Sequence, residues 1–447
     1  MAAKQRVETA DDGNARVVSI AMGYGHLRAA YPLAEQMGHT VLHVDREPLA
    51  DADEQQLWRK TRHFYESFTR VSQVPVVGRP LGWALDTVTA IPPLFPFRDL
   101  SQPTAGTYGL EWLARQRGLG RGLVEHLRRT GASLLTTFFA PAIVADAAGI
   151  DRVYCVVTDS DINRIWVATQ PAESHIVFLA PSRRVVRRLK SYGVPDDRIR
   201  LTGFPLPHSL LGGPGLPVLR ENLSRRLVRL DPKGTFRESE GPQVEAVLGG
   251  LPEDQQGQPP RITYAVGGAG AQVGLARSQL KAMRKVLQTG VMRLSLIAGT
   301  RADVNERFLD FVHDLGLDEA LEAGHLQILH EPELDDYFPA FDRLMAETDV
   351  LWTKPSELVF YGALGIPLVL SPPVGFHEIH NRRWAVERGA GMRQRDPSAA
   401  AEHFVELLED GTLAAMAWAG FNRLPKLGLY QILAEVNRSQ TAERERS

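Results

Sequence analysis

The chain has 447 residues, of which 44% are hydrophobic and 23% are charged, and its formal net charge is -2. This length predicts two domains of about 200 residues each, because a single hydrophobic core rarely grows much beyond that size. A charge so close to zero excludes a general electrostatic attraction to nucleic acid or to anionic membranes. The single cysteine, Cys155, excludes an internal disulfide and a cysteine-based zinc site.

No apolar run approaches the roughly 20 residues that a transmembrane helix needs, and the polar N-terminus lacks the apolar segment of a signal peptide. We therefore expect a cytoplasmic protein, with peripheral contact at the inner membrane face as an open alternative. The proline-locked aromatic segment 91–97 is typical of a packed loop, and its alternatives are an acceptor pocket or a shallow membrane contact. Arginine runs at 115–129 and 183–190 are typical of solvated helix faces, although such runs also attract anionic headgroups.

The N-terminal half predicts the opening of a doubly wound parallel sheet. An apolar strand at 16–21 runs into a glycine turn, Gly23–His26, which a helix at 27–37 and a strand at 40–44 follow. The glycines let the backbone approach a ligand at the helix start. The turn lacks the third glycine of the dinucleotide fingerprint, so it is a weak NAD signal. Further strands are predicted at 133–137, 152–157, 175–179 and 198–202.

A change in amino-acid composition separates the two halves of the chain. From 207 to 260 many Gly and Pro residues accompany one amphipathic helix, which predicts an interdomain linker and insertion. A second α/β set begins with a strand at 261–266 and a glycine turn. The predicted domains are two Rossmann-like domains at 1–206 and 261–420, the linker and insertion at 207–260, a C-terminal helix at 421–437, and a disordered tail at 438–447. Packing of the C-terminal helix on the N-terminal domain is left open.

Nearly every predicted strand ends in residues suited to ligand contact. In open α/β sheets, ligands bind outside the carboxyl ends of the strands, so two such sheets facing one another would enclose a cleft. The residues at these ends are Gly23, Gly25, His26, Thr136, Thr137, Thr158, Asp159, Gly203, Gly267, Gly268, Gly299, Thr300 and Lys354–Glu357.

The stretch 350–381 contains several features suited to ligand binding. It reads as a short strand, a turn at 353–357, a short helix at 358–364 capped by Gly365, and a buried strand at 367–370. The turn offers the start of a helix, where orphan N–H groups and the positive dipole end bind anions. A polar loop with His377, Glu378 and Asn381 follows. Such a unit suits a phosphorylated, hydroxyl-rich ligand.

Four passages resemble the GT-B glycosyltransferases, and more narrowly the family of monogalactosyldiacylglycerol synthase and the lipid-II-forming N-acetylglucosaminyltransferase. They are MGYGHLRAA at 22–30, VVTDSDINRIWV at 156–167, LAPSRRVVRRLKSYGVPDDRIRLTGFPL at 179–206 and TKPSELVFYGALGIPLVLSPPVGFHEIHNRRW at 353–384. The resemblance implies two Rossmann-like domains facing across a cleft, with the acceptor on the N-terminal side and the nucleotide sugar on the C-terminal side. It also implies transfer with inversion, and no cofactor, since the nucleotide sugar is a substrate.

The chain departs from this family at the donor end of the motif. The ribose-binding glutamate of the family falls at position 360, which is Phe360 here, and the usual Gly-Gly after Lys-Pro is Ser356-Glu357. Because Glu357 lies about one helical turn before Phe360, it is the candidate replacement for ribose binding. A UDP-sugar is the expected donor, and these departures leave its sugar and base open.

Glycosyl transfer needs a base for the acceptor hydroxyl. His26 is the first candidate, since it lies at a glycine turn and helix start, where the dipole disfavours the imidazolium form. Its alternative is a capping or packing histidine. Asp159 is the other candidate, as a base or as the group that orients the acceptor or His26, and its alternative is a turn aspartate. Gly23, Gly25 and Thr137 are the acceptor-side candidates.

The leaving diphosphate needs backbone N–H groups and cations. We expect the glycine turn after the first strand of the second domain to bind it, together with the helix start near Ser356 and with Arg301 or Lys354, while the loop after 370 would bond sugar hydroxyls. Ordinary tight turns and loop caps are the alternatives. The resemblance implies a reaction without a metal, and no D-x-D motif is evident at the donor site. The donor-binding candidates are Gly267, Gly268, Gly270, Ala271, Gln272, Gly299, Thr300, Arg301, Lys354, Ser356, Glu357, His377, Glu378 and Asn381.

Three functions compete on this scaffold. The first is a glycosyltransferase whose partners are a nucleotide-sugar donor and a small-molecule or lipid acceptor, with no nucleic acid. The second is a GT-B-fold sugar-nucleotide 2-epimerase, against which stands the lack of a matching Arg-Glu-x-Thr-Glu-Arg-Pro-Glu segment. The third is a non-catalytic sugar-nucleotide-binding protein, which only Phe360 favours.

Overall fold

The computed structural model describes residues 15–20, 23–71, 91–266 and 272–444. The chain divides into two compact units. The first unit comprises Met1–Met22, His26–Pro205 and Leu427–Ser447, and the second comprises Gly23–Gly25 and Leu206–Lys426. The predicted glycine turns at 267–271 lie outside the described residues.

The first unit is built on a six-stranded sheet in the order β2-β1-β3-β4-β5-β6, in which all neighbouring strands are parallel. Its strands are β1 (Arg16–Ser19), β2 (Leu42–His43), β3 (Leu134–Thr136), β4 (Val153–Val156), β5 (Ile176–Ala180) and β6 (Ile199–Leu201). Its helices are α1 (Tyr24–Gln36), α2 (Ala52–Val71), α3 (Ala105–Arg117), α4 (Arg121–Thr130), α5 (Phe139–Ala147) and α6 (Arg183–Ser191), with 3-10 turns at Arg164–Trp166 and Asp196–Arg198.

The second unit repeats this plan with a sheet in the order β12-β11-β10-β7-β8-β9, again parallel throughout. Its strands are β7 (Arg261–Ala265), β8 (Arg293–Gly299), β9 (Leu326–His330), β10 (Val350–Thr353), β11 (Leu368–Leu370) and β12 (Gly391–Arg393). Its helices are α7 (His208–Leu211), α8 (Pro217–Arg229), α9 (Thr235–Leu248), α10 (Val273–Gln288), α11 (Ala302–Asp314), α12 (Asp318–Glu322), α13 (Leu334–Glu347), α14 (Phe376–Glu387), α15 (Ala400–Glu409) and α16 (Thr412–Arg423), with 3-10 helices at Glu253–Gln255, Glu357–Leu364 and Pro397–Ala399. The last helix, α17 (Gly428–Arg444), belongs to the first unit.

Both faces of the first sheet are covered, which explains why its strands read as continuous apolar runs. Neighbouring residues of one strand enter different cores: Val18 and Leu134 pack on one face, and Val17 and Leu135 on the other. The predicted fold class, α/β with two Rossmann-like parallel sheets, is therefore confirmed.

The stretch predicted as linker and insertion, 207–260, is instead part of the second unit. Helix α8 buries Leu223 and Arg226, and the Arg226 guanidinium donates to the main-chain oxygens of Thr348 (2.8 Å) and Leu364 (2.9 Å). Burial lowers the pKa of Arg226 to about 10. The glycines and prolines that indicated a linker cap helices, as Pro217 does at the first position of α8.

The tail predicted to be disordered, 438–447, is helical as far as Arg444, because α17 continues through it. The run of Gln, Ala, Glu and Arg in this segment has good intrinsic helix propensity, although it lacks large apolar residues. Earlier in the helix, Leu429, Ile432 and Val436 recur at helical spacing and lie in the same core as Val17. These contacts cover one face of the first sheet.

Candidate functional site

The first cluster lies at the carboxyl edge of the first sheet, where β1, β3 and β4 end side by side. His26, in the first turn of α1, places its ring Nδ1 2.8 Å from the main-chain oxygen of Thr137 and 3.2 Å from the hydroxyl of Thr158. A carbonyl oxygen only accepts hydrogen bonds, so Nδ1 carries the proton and Nε2 is the basic nitrogen of the neutral ring.

The same two chain segments are also bonded in the reverse direction. The Thr137 hydroxyl donates to the main-chain oxygen of His26 at 2.9 Å, and Ser19 Oγ lies 3.0 Å from Thr137 Oγ1. Ser19 and Thr137 are fully buried, and Thr158 nearly so. We call Ser19, His26, Thr137 and Thr158 the histidine cluster.

Aromatic rings surround the imidazole. The His26 ring is 4.7 Å from that of Phe138, edge to face, and 6.4 Å from that of Trp166. Both aromatic side chains are buried. The ring of His26 is therefore confined by rigid neighbours, with hydrogen-bonding groups on its Nδ1 side.

The loop after β4, which carries Thr158 and Asp159, is held by a buried ion pair. Asp161 accepts from Arg188 Nε (2.8 Å) and from Arg184 Nε (2.6 Å). Burial alone would raise the pKa of Asp161, but the two guanidinium groups outweigh it and lower this pKa below its usual value. Asp159, the second predicted base, is partly exposed between Thr158 and this ion pair.

The second cluster lies at the carboxyl edge of the second sheet, after β10 and β11. Lys354 Nζ donates to Glu378 Oε1 at 2.7 Å, and the main-chain N–H of Val374 donates to Glu378 Oε2 at 2.6 Å. Glu378 is 1% exposed. Burial raises its pKa, but the charges of Lys354 and His377 and the two hydrogen bonds outweigh burial and lower the pKa below its usual value. We call Lys354, Val374 and Glu378 the lysine cluster.

Both carboxylate oxygens of Glu378 have protein partners, and its predicted bond to sugar hydroxyls stays a prediction. Through these partners Glu378 orients Lys354 and fixes the loop before α14. The loop predicted to hold His377, Glu378 and Asn381 is in fact this helix, Phe376–Glu387. Its inward face is formed by Glu378, Asn381 and Trp384, so it lacks the apolar stripe that reveals a helix in sequence. Asn381 is fully buried, and His377 is partly exposed.

Gln272 connects two strand ends of the second sheet. Its Oε1 accepts from the Ser371 hydroxyl at 2.6 Å, and its Nε2 donates to the main-chain oxygen of Pro372 at 3.0 Å. The side chain therefore braces the loop after β11. The predicted contact of the diphosphate with the main-chain N–H group of this residue stays a prediction. Gly267, Gly268, Gly270 and Ala271 lie outside the described residues.

The residues after β8 were predicted to bind the donor. The Thr300 main-chain N–H donates to the Tyr24 hydroxyl at 2.8 Å, next to Gly299, which has a φ of 70°. Arg301 pairs with Asp303, with Nε 2.9 Å from Oδ1, on the protein surface. This cation therefore has a carboxylate partner on its own helix turn.

The turn after β10 places Ser356 and Glu357 at the start of a 3-10 helix that ends at Gly365 in a left-handed conformation. Glu357 is nearly buried, and a Cβ added to Gly25 would lie 3.0 Å from Glu357 Oε2. Gly25 thus allows a close approach of the carboxylate. Gly23, at φ 103°, lies in the left-handed region that favours glycine.

Phe360 occupies the position at which the family resemblance places a ribose-binding glutamate. Its ring is 3% exposed and packs edge to face on Trp384 at 5.1 Å. This position is therefore part of the core, and a carboxylate there would be buried against an aromatic ring. Glu357 stays the candidate for ribose binding.

Within 15–20, 23–71, 91–266 and 272–444, no helix is both long and apolar enough to cross a membrane. The same residues contain no group of three or more His, Cys, Asp or Glu side chains placed to hold a metal ion. The expectation of a reaction without a metal stays a prediction.

Comparisons with known proteins give a partial family match and distant structural neighbours. Residues 252–434 match a domain of unknown function (DUF6938). The chain matches no curated protein sequence.

Among solved structures, a putative UDP-N-acetylglucosamine 2-epimerase from Listeria monocytogenes is 12% identical, with a TM-score of 0.49, covering 96% of this chain and 98% of that chain. The Neisseria meningitidis UDP-GlcNAc 2-epimerase, bound to UDP-GlcNAc, is 12% identical with a TM-score of 0.47, and the match covers 95% of this chain and 100% of that chain. The glycosyltransferase SnogD from Streptomyces nogalater is 15% identical with a TM-score of 0.44, and the match covers 95% of this chain and 99% of that chain. The neighbours thus include both glycosyltransferases and epimerases, and the similarity does not choose between these activities.

Sequence reasoning missed two members of the histidine cluster as site residues. Ser19 is hidden in the apolar strand β1, where a single hydroxyl carries no periodic signal. Thr158 was recognised as a strand-end residue but was given no role. The signal that finds both is position, since each lies at the carboxyl end of a strand adjacent to β3.

Proposed function

We propose that the protein transfers a sugar from a nucleotide-sugar donor, a UDP-sugar by resemblance, to an acceptor hydroxyl. The observation that carries this proposal is the bond from His26 Nδ1 to the Thr137 carbonyl, which makes Nε2 the basic nitrogen. A general base needs a lone pair on a side chain held in one orientation. The histidine cluster meets both requirements at the edge of the sheet where ligands of such folds bind.

In the proposed reaction His26 Nε2 accepts the proton of the acceptor hydroxyl while its oxygen attacks the anomeric carbon of the sugar. The bond from that carbon to the diphosphate breaks, and the nucleoside diphosphate leaves with the electron pair. Attack opposite the leaving group inverts the anomeric centre. Asp159, which follows Thr158, is proposed to orient the acceptor.

The second unit is proposed to bind the donor. Lys354 supplies a positive charge, the turn at Ser356 supplies main-chain N–H groups, and Glu357 accepts from ribose hydroxyls. What supports this assignment is the buried Glu378, which fixes the Lys354 ammonium group at the carboxyl edge of the sheet.

A lipid acceptor is proposed from the surface of the first unit. Phe95 and Phe97 are 60% and 63% exposed, with their rings 4.4 Å apart, and Tyr108 and Trp112 are also more than half exposed. Exposed aromatic side chains favour the interfacial region of a bilayer. On this proposal the double variant Phe95→Ser/Phe97→Ser binds anionic vesicles more weakly than the wild type.

A panel of radiolabelled UDP- and GDP-sugars, each with lipid and water-soluble hydroxyl acceptors, tests the proposed function. Acceptor-dependent release of nucleoside diphosphate with a labelled glycoside product supports it. Formation of an epimeric sugar nucleotide without acceptor identifies an epimerase instead. Binding without turnover for every donor and acceptor contradicts an enzymatic role.

A further inference from the structure

We propose that Thr158 is a positioning residue, whose hydroxyl acts with the main-chain carbonyl of Thr137 as a neutral clamp on His26 Nδ1. The clamp selects one tautomer of the ring through two contacts at Nδ1. This inference rests on the proposed role of His26 as the base, and its structural part, the tautomer, is testable without any activity.

The tautomer follows from the shorter contact. Nδ1 lies 2.8 Å from the Thr137 oxygen, and at that distance an unprotonated Nδ1 would set two lone pairs against each other. The Thr158 hydroxyl, 3.2 Å from the same nitrogen, then accepts as the second arm of a shared hydrogen bond. Within the described residues, His26 is the one side-chain partner of this hydroxyl.

The carbonyl arm of the clamp is fixed by a directed chain of hydroxyl groups. The Thr137 hydroxyl gives its single proton to the His26 main-chain oxygen at 2.9 Å, since a carbonyl cannot donate. Ser19 must therefore be the donor in the 3.0 Å contact with Thr137 Oγ1. This chain ties β1, β3 and the first turn of α1 together, so the Thr137 carbonyl has little freedom to turn away from the imidazole.

The clamp stabilises the ring most strongly after Nε2 takes up a proton. The ring becomes a cation, and the Nδ1–H bonds to the carbonyl and the hydroxyl become charge-assisted and stronger. Two dipoles then stabilise a charge that exists only during turnover. The hydroxyl arm thus helps most in the charged state, which is the behaviour expected of a group that assists catalysis.

The variants that test the hydroxyl arm are Thr158→Val, which keeps the shape, and Thr158→Ser, which keeps the hydroxyl. For Thr158→Val we expect kcat to fall by about 5- to 10-fold, the effect of one hydrogen bond, with KM within about twofold of the wild type. Thr158→Ser restores most of the loss. Thr202→Val is the matched control, because the hydroxyl of this buried threonine donates to Gly203 and not to His26.

The second readout is the ¹⁵N NMR spectrum of histidine-labelled protein, in which His26→Asn identifies the His26 signals. We expect a protonated Nδ1 in the wild type, and in Thr158→Val an Nδ1–H signal that is shifted by the loss of its second acceptor. A wild-type ring protonated at Nε2 overturns the clamp without any variant, and so does an unchanged Nδ1–H signal together with an unchanged kcat in Thr158→Val. If the activity panel finds no transfer but the spectra show the expected Nδ1–H signals, the proposed function fails while the clamp stands.

Discussion

The histidine cluster and the lysine cluster occupy equivalent places, the carboxyl edges of two parallel sheets, but they are built from opposite chemistry. His26 Nδ1 contacts the Thr137 carbonyl and the Thr158 hydroxyl, which are both neutral groups. Lys354 is held by the carboxylate of the buried Glu378. A ring that must change its charge in the proposed reaction has dipolar partners, whereas a cation that must stay charged has an ionic one.

The difference has a physical reason. A carboxylate on Nδ1 would stabilise the imidazolium form before any substrate arrives, and a neutral partner avoids that. For Lys354 the requirement is reversed, because a desolvated ammonium group tends to lose its proton unless an opposite charge is near. The two clusters should therefore respond differently to substitution and to pH.

The largest expected effect separates catalysis from binding. His26→Ala should lower kcat by about 100- to 10,000-fold, the range for loss of a general base, while the donor dissociation constant changes little. Steady-state kinetics and calorimetric titration with the donor measure the two quantities. His313→Ala is the control, since this histidine is 85% exposed. Full activity in His26→Ala would remove His26 from the mechanism.

The next effect tests the ionic partner. Lys354→Met leaves Glu378 as a buried charge without its cation, and we expect a loss of about 3 kcal/mol in the free energy of unfolding, measured in urea. The double variant Lys354→Met/Glu378→Gln should recover much of this stability but not donor binding. If the double variant is as unstable as the single one, the stability of this region does not depend on the ion pair.

A smaller effect is expected from acid. The folded-state pKa of Glu378 is lowered, so its contribution to stability is fully present above its ordinary value of 4.5 and is lost as the pH falls from there through the lowered pKa. Asp161 behaves in the same way. Urea unfolding from about pH 6 to about pH 3, the range in which carboxyl groups titrate, should show a shallower loss of stability for Glu378→Gln than for the wild type. Equal slopes would contradict the lowered pKa.

The smallest effect concerns Arg301, whose ion pair with Asp303 lies on the surface. Such exposed pairs contribute little to folding, so Arg301→Ala should unfold at the same urea concentration as the wild type. Donor affinity is the informative quantity: a several-fold loss would assign Arg301 to the diphosphate. An unchanged affinity would leave Lys354 as the cation that acts there.

The sequence predicts the strands well and the site less evenly. Apolar runs such as Val153–Val157 predict buried strands. The site residues His26, Thr137 and Lys354 follow the carboxyl ends of such strands. The partners of these residues are not visible in the same way. The sequence predicts that Glu378 contacts a ligand, and it does not predict the contact with Lys354 that the structure shows. Pairings between distant segments follow from the packing of whole elements, which local patterns do not encode.

The buried guanidinium of Arg226 sets a limit on how the chain can be dissected. It donates to the main-chain oxygens of Thr348 and Leu364, one before β10 and the other at the end of the 3-10 helix that carries Glu357. A fragment that begins at Arg261, the predicted start of the second domain, would remove α8 and with it the donor to these two acceptors. Biochemical work on the donor-binding half alone should therefore use a fragment that begins at Leu206, so that the helix is expressed with the sheet it completes.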